Sequence, residues 1–206
     1  VCMRHIAIYS PNVRHKNFKG DKKYYLQLLP NRNLMKAAIK KQMGNTGLYG
    51  MILIGSPVLY AVVAGGVVEK KMFLLNPAKK KVALHFYSRA KDADKLDFAM
   101  YFLKKAIVWD EKRSYLEYDL DFYMVMVVDG FNMSAMENKW LNLFNTQFVL
   151  AIPRTTTDRG SADVQAVIAH EYFHNYTGNR VTCRDWFQLT LKEGLTVFRE
   201  QEFLLI

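Results

Sequence analysis

At 206 residues, half of them apolar and 14% aromatic, the chain is long enough for one substantial domain or two small ones, and its composition excludes global disorder. Lysine and arginine outnumber the acids 29 to 19, a formal charge of +10, but the surplus lies in scattered doublets and triplets such as Lys22-Lys23, Lys40-Lys41, Lys70-Lys71 and Lys79-Lys80-Lys81. That scatter describes a solvated face rather than a dedicated polyanion site, and two cysteines, Cys2 and Cys183, exclude a disulfide framework and point to a reducing, cytoplasmic setting.

The opening Val1-Cys2-Met3-Arg4-His5 holds no readable secretory signal. The absent initiator methionine, and the unfinished apolar pattern at Phe203-Leu204-Leu205-Ile206, lead to the expectation of a chain cut at both ends. Residues 1–57 show no sustained periodicity. From Leu48 to Val68 the chain runs 21 residues without a charge, long enough to cross a bilayer. Gly50, Gly55, Pro57, Gly65 and Gly66 interrupt it, and Val, Ile and Tyr prevail over Leu, so two buried strands joined by a turn at Gly55-Ser56-Pro57 are the better expectation.

Lys81 to Arg89 alternates as a strand, with Val82, Leu84 and Phe86 on one face. Asp92 to Trp109 changes to helical spacing, its stripe of Leu96, Ala99, Met100, Leu103, Ala106 and Ile107 opposed by Asp94, Asp97, Lys104 and Lys105. A strand is predicted over Tyr118–Val128, with Leu120, Phe122, Met124, Met126 and Val128 on one face, and another over Gln147–Ile152, ended by Pro153. After a polar loop, a helix starting near Ser161 or Asp163 is expected to reach Tyr176 and stop at Gly178, and a last helix to run from Leu189 to Phe203. The fold class is therefore α+β. No internal repeat is present.

The chemistry is concentrated in His170-Glu171-Tyr172-Phe173-His174, an H-E-x-x-H motif on the predicted helix. Residues four apart share a helical face, so both imidazoles can reach one tetrahedral metal ion, and zinc takes three protein ligands plus water in catalytic sites. Glu171 follows the first histidine and can act as general base on that water. Eighteen residues lie between His174 and Glu193, enough for a helix–loop–helix return that brings the Glu193 carboxylate to the histidine pair as third ligand.

The run from His170 through Asn175, Gly178-Asn179-Arg180 and Asp185-Trp186, continuing to Lys192-Glu193-Gly194-Leu195-Thr196, resembles the aminopeptidase N family of zinc peptidases (gluzincins), particularly its bacterial-type branch. Upstream, Met133-Ser134-Ala135-Met136-Glu137-Asn138 is similar to that family's G-A-M-E-N segment, and Glu137 stands 33 positions before His170. The resemblance covers about Tyr60 to Phe203; residues before 58 are poorly matched. It implies hydrolysis of the N-terminal residue from peptides with one Zn²⁺, by a monomer that needs no nucleic acid and no membrane span. It also implies a β-rich N-terminal portion over 1–125 and a thermolysin-like catalytic core over 126–206. Carried over residue by residue, Glu137 anchors the substrate's free α-amino group, while Ser134, Ala135 and Met136 belong to an edge strand that pairs with the peptide. Asn175, Asn179 and Asp185 are candidates to orient the histidine rings.

Two positions depart from the family pattern: Ser134 and Trp140 stand where glycine is usual, and each adds bulk beside the cleft. The family's catalytic tyrosine would fall beyond Glu193, past the last residue of this sequence. Metal binding is therefore expected ahead of turnover. The alternatives are a catalytically impaired zinc-binding fragment and a basic protein that binds polyanions or acidic membrane surfaces.

Overall fold

The computed structural model describes residues 61–76 and 79–205, together with four short strands among the residues before them. These four are β1 (Ile6–Tyr9), β2 (Leu26–Pro30), β3 (Asn33–Lys36) and β4 (Tyr49–Met51). With β5 (Ala61–Gly66) they form a three-stranded sheet ordered β1-β5-β2 and a separate β3-β4 pair. The charge-free stretch thus contributes β4 and β5 to different sheets, and the turn expected at Gly55-Ser56-Pro57 lies outside the described residues. Among those described, no helix is long and apolar enough to cross a membrane.

The main sheet has five strands in the order β6-β7-β8-β10-β9: β6 (Val68–Leu75), β7 (Lys81–Ser88), β8 (Phe122–Val128), β9 (Ala135–Met136) and β10 (Leu141–Asn145). β7 alternates as predicted, burying Val82, Leu84 and Phe86 completely. β8 is central and runs parallel to both β7 and β10. Both its faces are covered, so Tyr123, Val125 and Val127 are as buried as Met124 and Met126, and the expected single apolar face does not hold. The strand is also shorter than expected, since Tyr118–Asp121 precede it. The expected junction between residues 125 and 126 lies inside β8.

Helix α1 (Asp97–Ser114) begins after a 3₁₀ turn at Ala90–Lys95, so the helical pattern seen from Asp92 divides into two elements. Its predicted stripe is at most 1% exposed throughout. Each such Leu or Ile contributes on the order of 1.5–3 kcal/mol by leaving water. Tyr115 ends the helix in a left-handed conformation (φ 58°), donating its N–H to the Glu111 carbonyl at 3.1 Å.

No strand forms over Gln147–Ile152. Asn145 caps a 3₁₀ turn at Thr146–Phe148 through its side chain, which accepts from the Gln147 N–H at 3.1 Å, and the apolar residues after it drop into the core as irregular chain, with Val149 fully buried. Helix α2 (Asp158–Phe173) starts earlier than expected because Thr157 is its cap, accepting from the Gly160 N–H at 3.1 Å. It ends at Phe173, not Tyr176, and His174 is the capping residue. A 3₁₀ turn at Trp186–Gln188, a π-helical turn at Thr190–Gly194 and α3 (Leu195–Leu204) complete the chain, where one helix was expected. α2 packs between α1 and α3. Arg199 of α3 ties the three together, donating to the Phe173 carbonyl at 3.0 Å and pairing with the buried Asp110 carboxylate.

Candidate metal centre

Nε2 of His170 and Nε2 of His174 are 3.0 Å apart, and Oε2 of Glu193 approaches them at 3.6 and 3.3 Å. One ligand atom from each residue lies within 4.8 Å of the others, the only such trio of His, Cys, Asp or Glu among the described residues. The histidines meet because they are one turn apart at the C-terminal end of α2. Glu193 reaches them from the π-helical turn, whose extra residue per turn redirects the side chain.

The opposite ring nitrogens show what this trio can hold. Nδ1 of His170 is 2.8 Å from Oε2 of Glu200, and Nδ1 of His174 is 2.8 Å from the Thr177 carbonyl, with the Thr196 hydroxyl at 3.2 Å. A carboxylate and a carbonyl only accept, so each Nδ1 donates and each ring turns its Nε2 inward. Two imidazole nitrogens and a carboxylate oxygen facing one point suit a cation there. A His₂Glu set fits zinc, and the partners behind the rings are those that fix ligating imidazoles.

In the metal-free chain His170 takes up a proton instead. Burial opposes charge on His170, but Glu193 and Glu200 at its two nitrogens outweigh it and push its pKa up to about 10. Hydrogen bonds with His170 and His174 hold the Glu193 carboxyl well below the usual carboxylate range.

Glu171 is 6% exposed, and its Oε2 is buried without a hydrogen-bond partner. Burial, and next the Glu137 carboxylate, push its carboxyl well above the ordinary range. Glu137 follows β9, the edge strand of the main sheet, and is equally buried. Asn179 donates to the Glu137 carbonyl at 2.6 Å, and Lys192 is ion-paired with its carboxylate. Ser134 is exposed before β9, its carbonyl accepting from the Asn145 N–H at 3.0 Å, while Ala135 and Met136 pair with Phe144 and Leu143 of β10.

Trp140 has φ 71°, a left-handed backbone that glycine adopts without strain and a tryptophan does not. The bulk expected beside the cleft is instead 4% exposed and belongs to the core cluster. None of Asn175, Asn179 and Asp185 hydrogen-bonds to a histidine ring. Asn175 donates to Asp119 at 2.9 Å, Asn179 holds Glu137, and Asp185 caps the turn at Trp186. The side chains that do meet the rings, Thr196 and Glu200, follow Glu193 at i+3 and i+7, a helical stripe that was open to reading in the sequence.

Asp119 forms a second centre beneath the site. It accepts from Lys139 at 2.8 Å, Asn175 at 2.9 Å and Arg180 at 2.8 Å, joining the segment after Glu137 to the turn after His174. Burial works against its charge, yet these donors outweigh burial and lower its pKa.

Residues 98–205 match the model of the peptidase family M1 domain. Aminopeptidase N of Haemophilus influenzae is 57% identical over 145 residues and that of Escherichia coli 55% identical over 145, in each case 70% of this chain and 17% of the relative. The chain thus spans about a sixth of the length of these curated relatives. The crystal structure of Legionella pneumophila aminopeptidase A in complex with aspartic acid superposes with a TM-score of 0.79 at 39% identity, over 86% of this chain and 21% of that one.

Proposed function

The chain belongs to peptidase family M1, and from that premise we propose that it removes the N-terminal residue of peptides, using one Zn²⁺ held by His170, His174 and Glu193. The observation that carries the reading is the convergence of these three ligand atoms within 4.8 Å, beside two buried carboxylates, Glu171 and Glu137. When bound, zinc polarises the scissile carbonyl and lowers the pKa of the attacking water.

The remaining work falls to side chains of this chain. Glu171 takes the proton from that water and delivers it to the departing nitrogen, so one carboxylate serves as base and then as acid. Its raised pKa matches both duties. Glu137 receives the α-ammonium of the substrate in a poorly solvated position, where a charge-assisted hydrogen bond is strong. Because Glu137 lies beyond β9, a peptide added to that edge along Ser134, Ala135 and Met136 is measured from its amino end. That register supports removal of a single residue over internal cleavage. The two cysteines fit a reducing, cytoplasmic setting.

The test is release of chromophore from an aminoacyl-anilide with and without a chelator, and from the same anilide with its amine acetylated. Chelator-sensitive release confined to the free amine is the expected result. Equal release from both substrates would refute the role given to Glu137.

A further inference from the structure

Lys192 stands between the two carboxylates to which different duties have been given. Its ammonium is paired with Oε1 of Glu137 and lies 2.7 Å from Oε1 of Glu193. The latter is the oxygen turned away from the imidazoles, which Oε2 approaches. One atom therefore fastens the outer oxygen of the third ligand and the amine anchor together.

The seat for this lysine is built by the turn that follows His174. Gly178 has φ +130°, and a Cβ placed on it would come within 2.8, 2.9 and 3.1 Å of Cγ, Cε and Cδ of Lys192. The alkyl chain lies along a surface that only glycine leaves free. The next residue, Asn179, holds the Glu137 carbonyl at 2.6 Å. Two adjacent residues thus fix the lysine and its partner. With side chains only 20% and 8% exposed, Lys192 and Glu137 are not a solvent-screened surface pair.

We infer that Lys192 is a positioning residue, a built-in counter-cation shared by Glu137 and Glu193, which confines Glu193 to presenting one oxygen and makes the binding of a substrate ammonium at Glu137 an exchange of one cation for another. The inference rests on the roles proposed above for those two carboxylates. Hydrogen-bonding partners of ligating side chains typically govern about 10–100-fold in metal affinity. At Glu137 the effect has the opposite sign, because an arriving ammonium meets a carboxylate that is already neutralised and gains only the difference.

The experiment measures two affinities for the wild-type chain, Lys192→Met and Gly178→Ala: zinc by competition with a chromophoric chelator, and L-leucinamide by calorimetry on zinc-loaded protein. In both variants zinc affinity falls about tenfold or more, while leucinamide binds severalfold tighter. Lys192→Arg, which keeps the charge, restores zinc affinity toward wild type. Loss of both affinities would mean simple structural damage, and no change in either would mean an idle ion pair; each result overturns the inference. Should Lys192→Met fail to fold by circular dichroism, Gly178→Ala decides the matter with the lysine still present. A wild-type chain that binds no zinc refutes the metal-site reading itself and takes this inference with it. Zinc binding that is equal in wild type and variants removes the inference alone.

Discussion

The carboxylate of Glu200 stands 2.8 Å from Nδ1 of His170, the ring nitrogen opposite the one that faces His174. This single contact sets the tautomer and plane of the first imidazole from α3, thirty positions along the chain. Glu200→Gln keeps the shape but can turn an N–H toward the ring and loses the negative charge. Zinc affinity is expected to fall about 10–100-fold in chelator competition, with the fold intact by circular dichroism. Unchanged affinity would show that the ring needs no such partner.

Glu171 makes the reverse prediction. It contributes no atom to the ligand trio, so Glu171→Gln should bind one equivalent of zinc as wild type does. Anilide turnover should drop by about 10²–10⁴-fold, the usual share of a general acid–base group. Loss of zinc together with activity would instead make Glu171 a ligand or a structural support.

Metal binding should depend on pH through His170. Its pKa stands at about 10 in the metal-free chain, because Glu193 and Glu200 outweigh burial. Zinc needs the neutral ring, so binding releases that proton. Below pH 10 each unit of falling pH therefore lowers apparent zinc affinity by up to about tenfold, and each unit of rising pH restores it. Zinc titrations at three pH values with a matched competitor measure the slope. An affinity flat between pH 6 and 8 would contradict it.

Stability should depend on Asp119. Lys139 is 2% exposed at its side chain and has Asp119 as its partner at 2.8 Å. Asp119→Ala leaves that ammonium buried without a counter-charge, and loss of one member of a buried pair costs about 3–5 kcal/mol. Chemical denaturation should show this as a lower midpoint with the same slope. A change under about 1 kcal/mol would place Lys139 among ordinary surface charges.

What was legible in advance was the local part. The H-E-x-x-H spacing follows from helix geometry alone, and Glu193 and Glu137 are singled out by their own flanking residues. The stripe of α1 and the alternation of β7 are likewise properties of short windows. The misreadings involve neighbours distant in sequence. β8 is apolar on both faces because β7 and β10 flank it and layers cover it, which no alternation within Phe122–Val128 reveals. Val149-Leu150-Ala151 has strand-like composition, but Asn145 starts a 3₁₀ turn before it, and burial rather than pairing explains those side chains. β10, with Asn142 and Asn145 among its five residues, lacks a strand pattern and exists because β8 and β9 pair with it. The side chains behind the rings, Thr196 and Glu200, come from α3 by its packing against α2, while the nearer partner of His174 is the Thr177 carbonyl three positions on.

The central claim is tested most directly by X-ray absorption at the zinc edge of the zinc-loaded chain. The account predicts a shell of two imidazole nitrogens and carboxylate and water oxygens at about 2.0–2.2 Å, with His174→Ala losing one imidazole contribution. A sulfur shell near 2.3 Å, which would place the ion at Cys183 or Cys2, or a spectrum unchanged by His174→Ala, would contradict it.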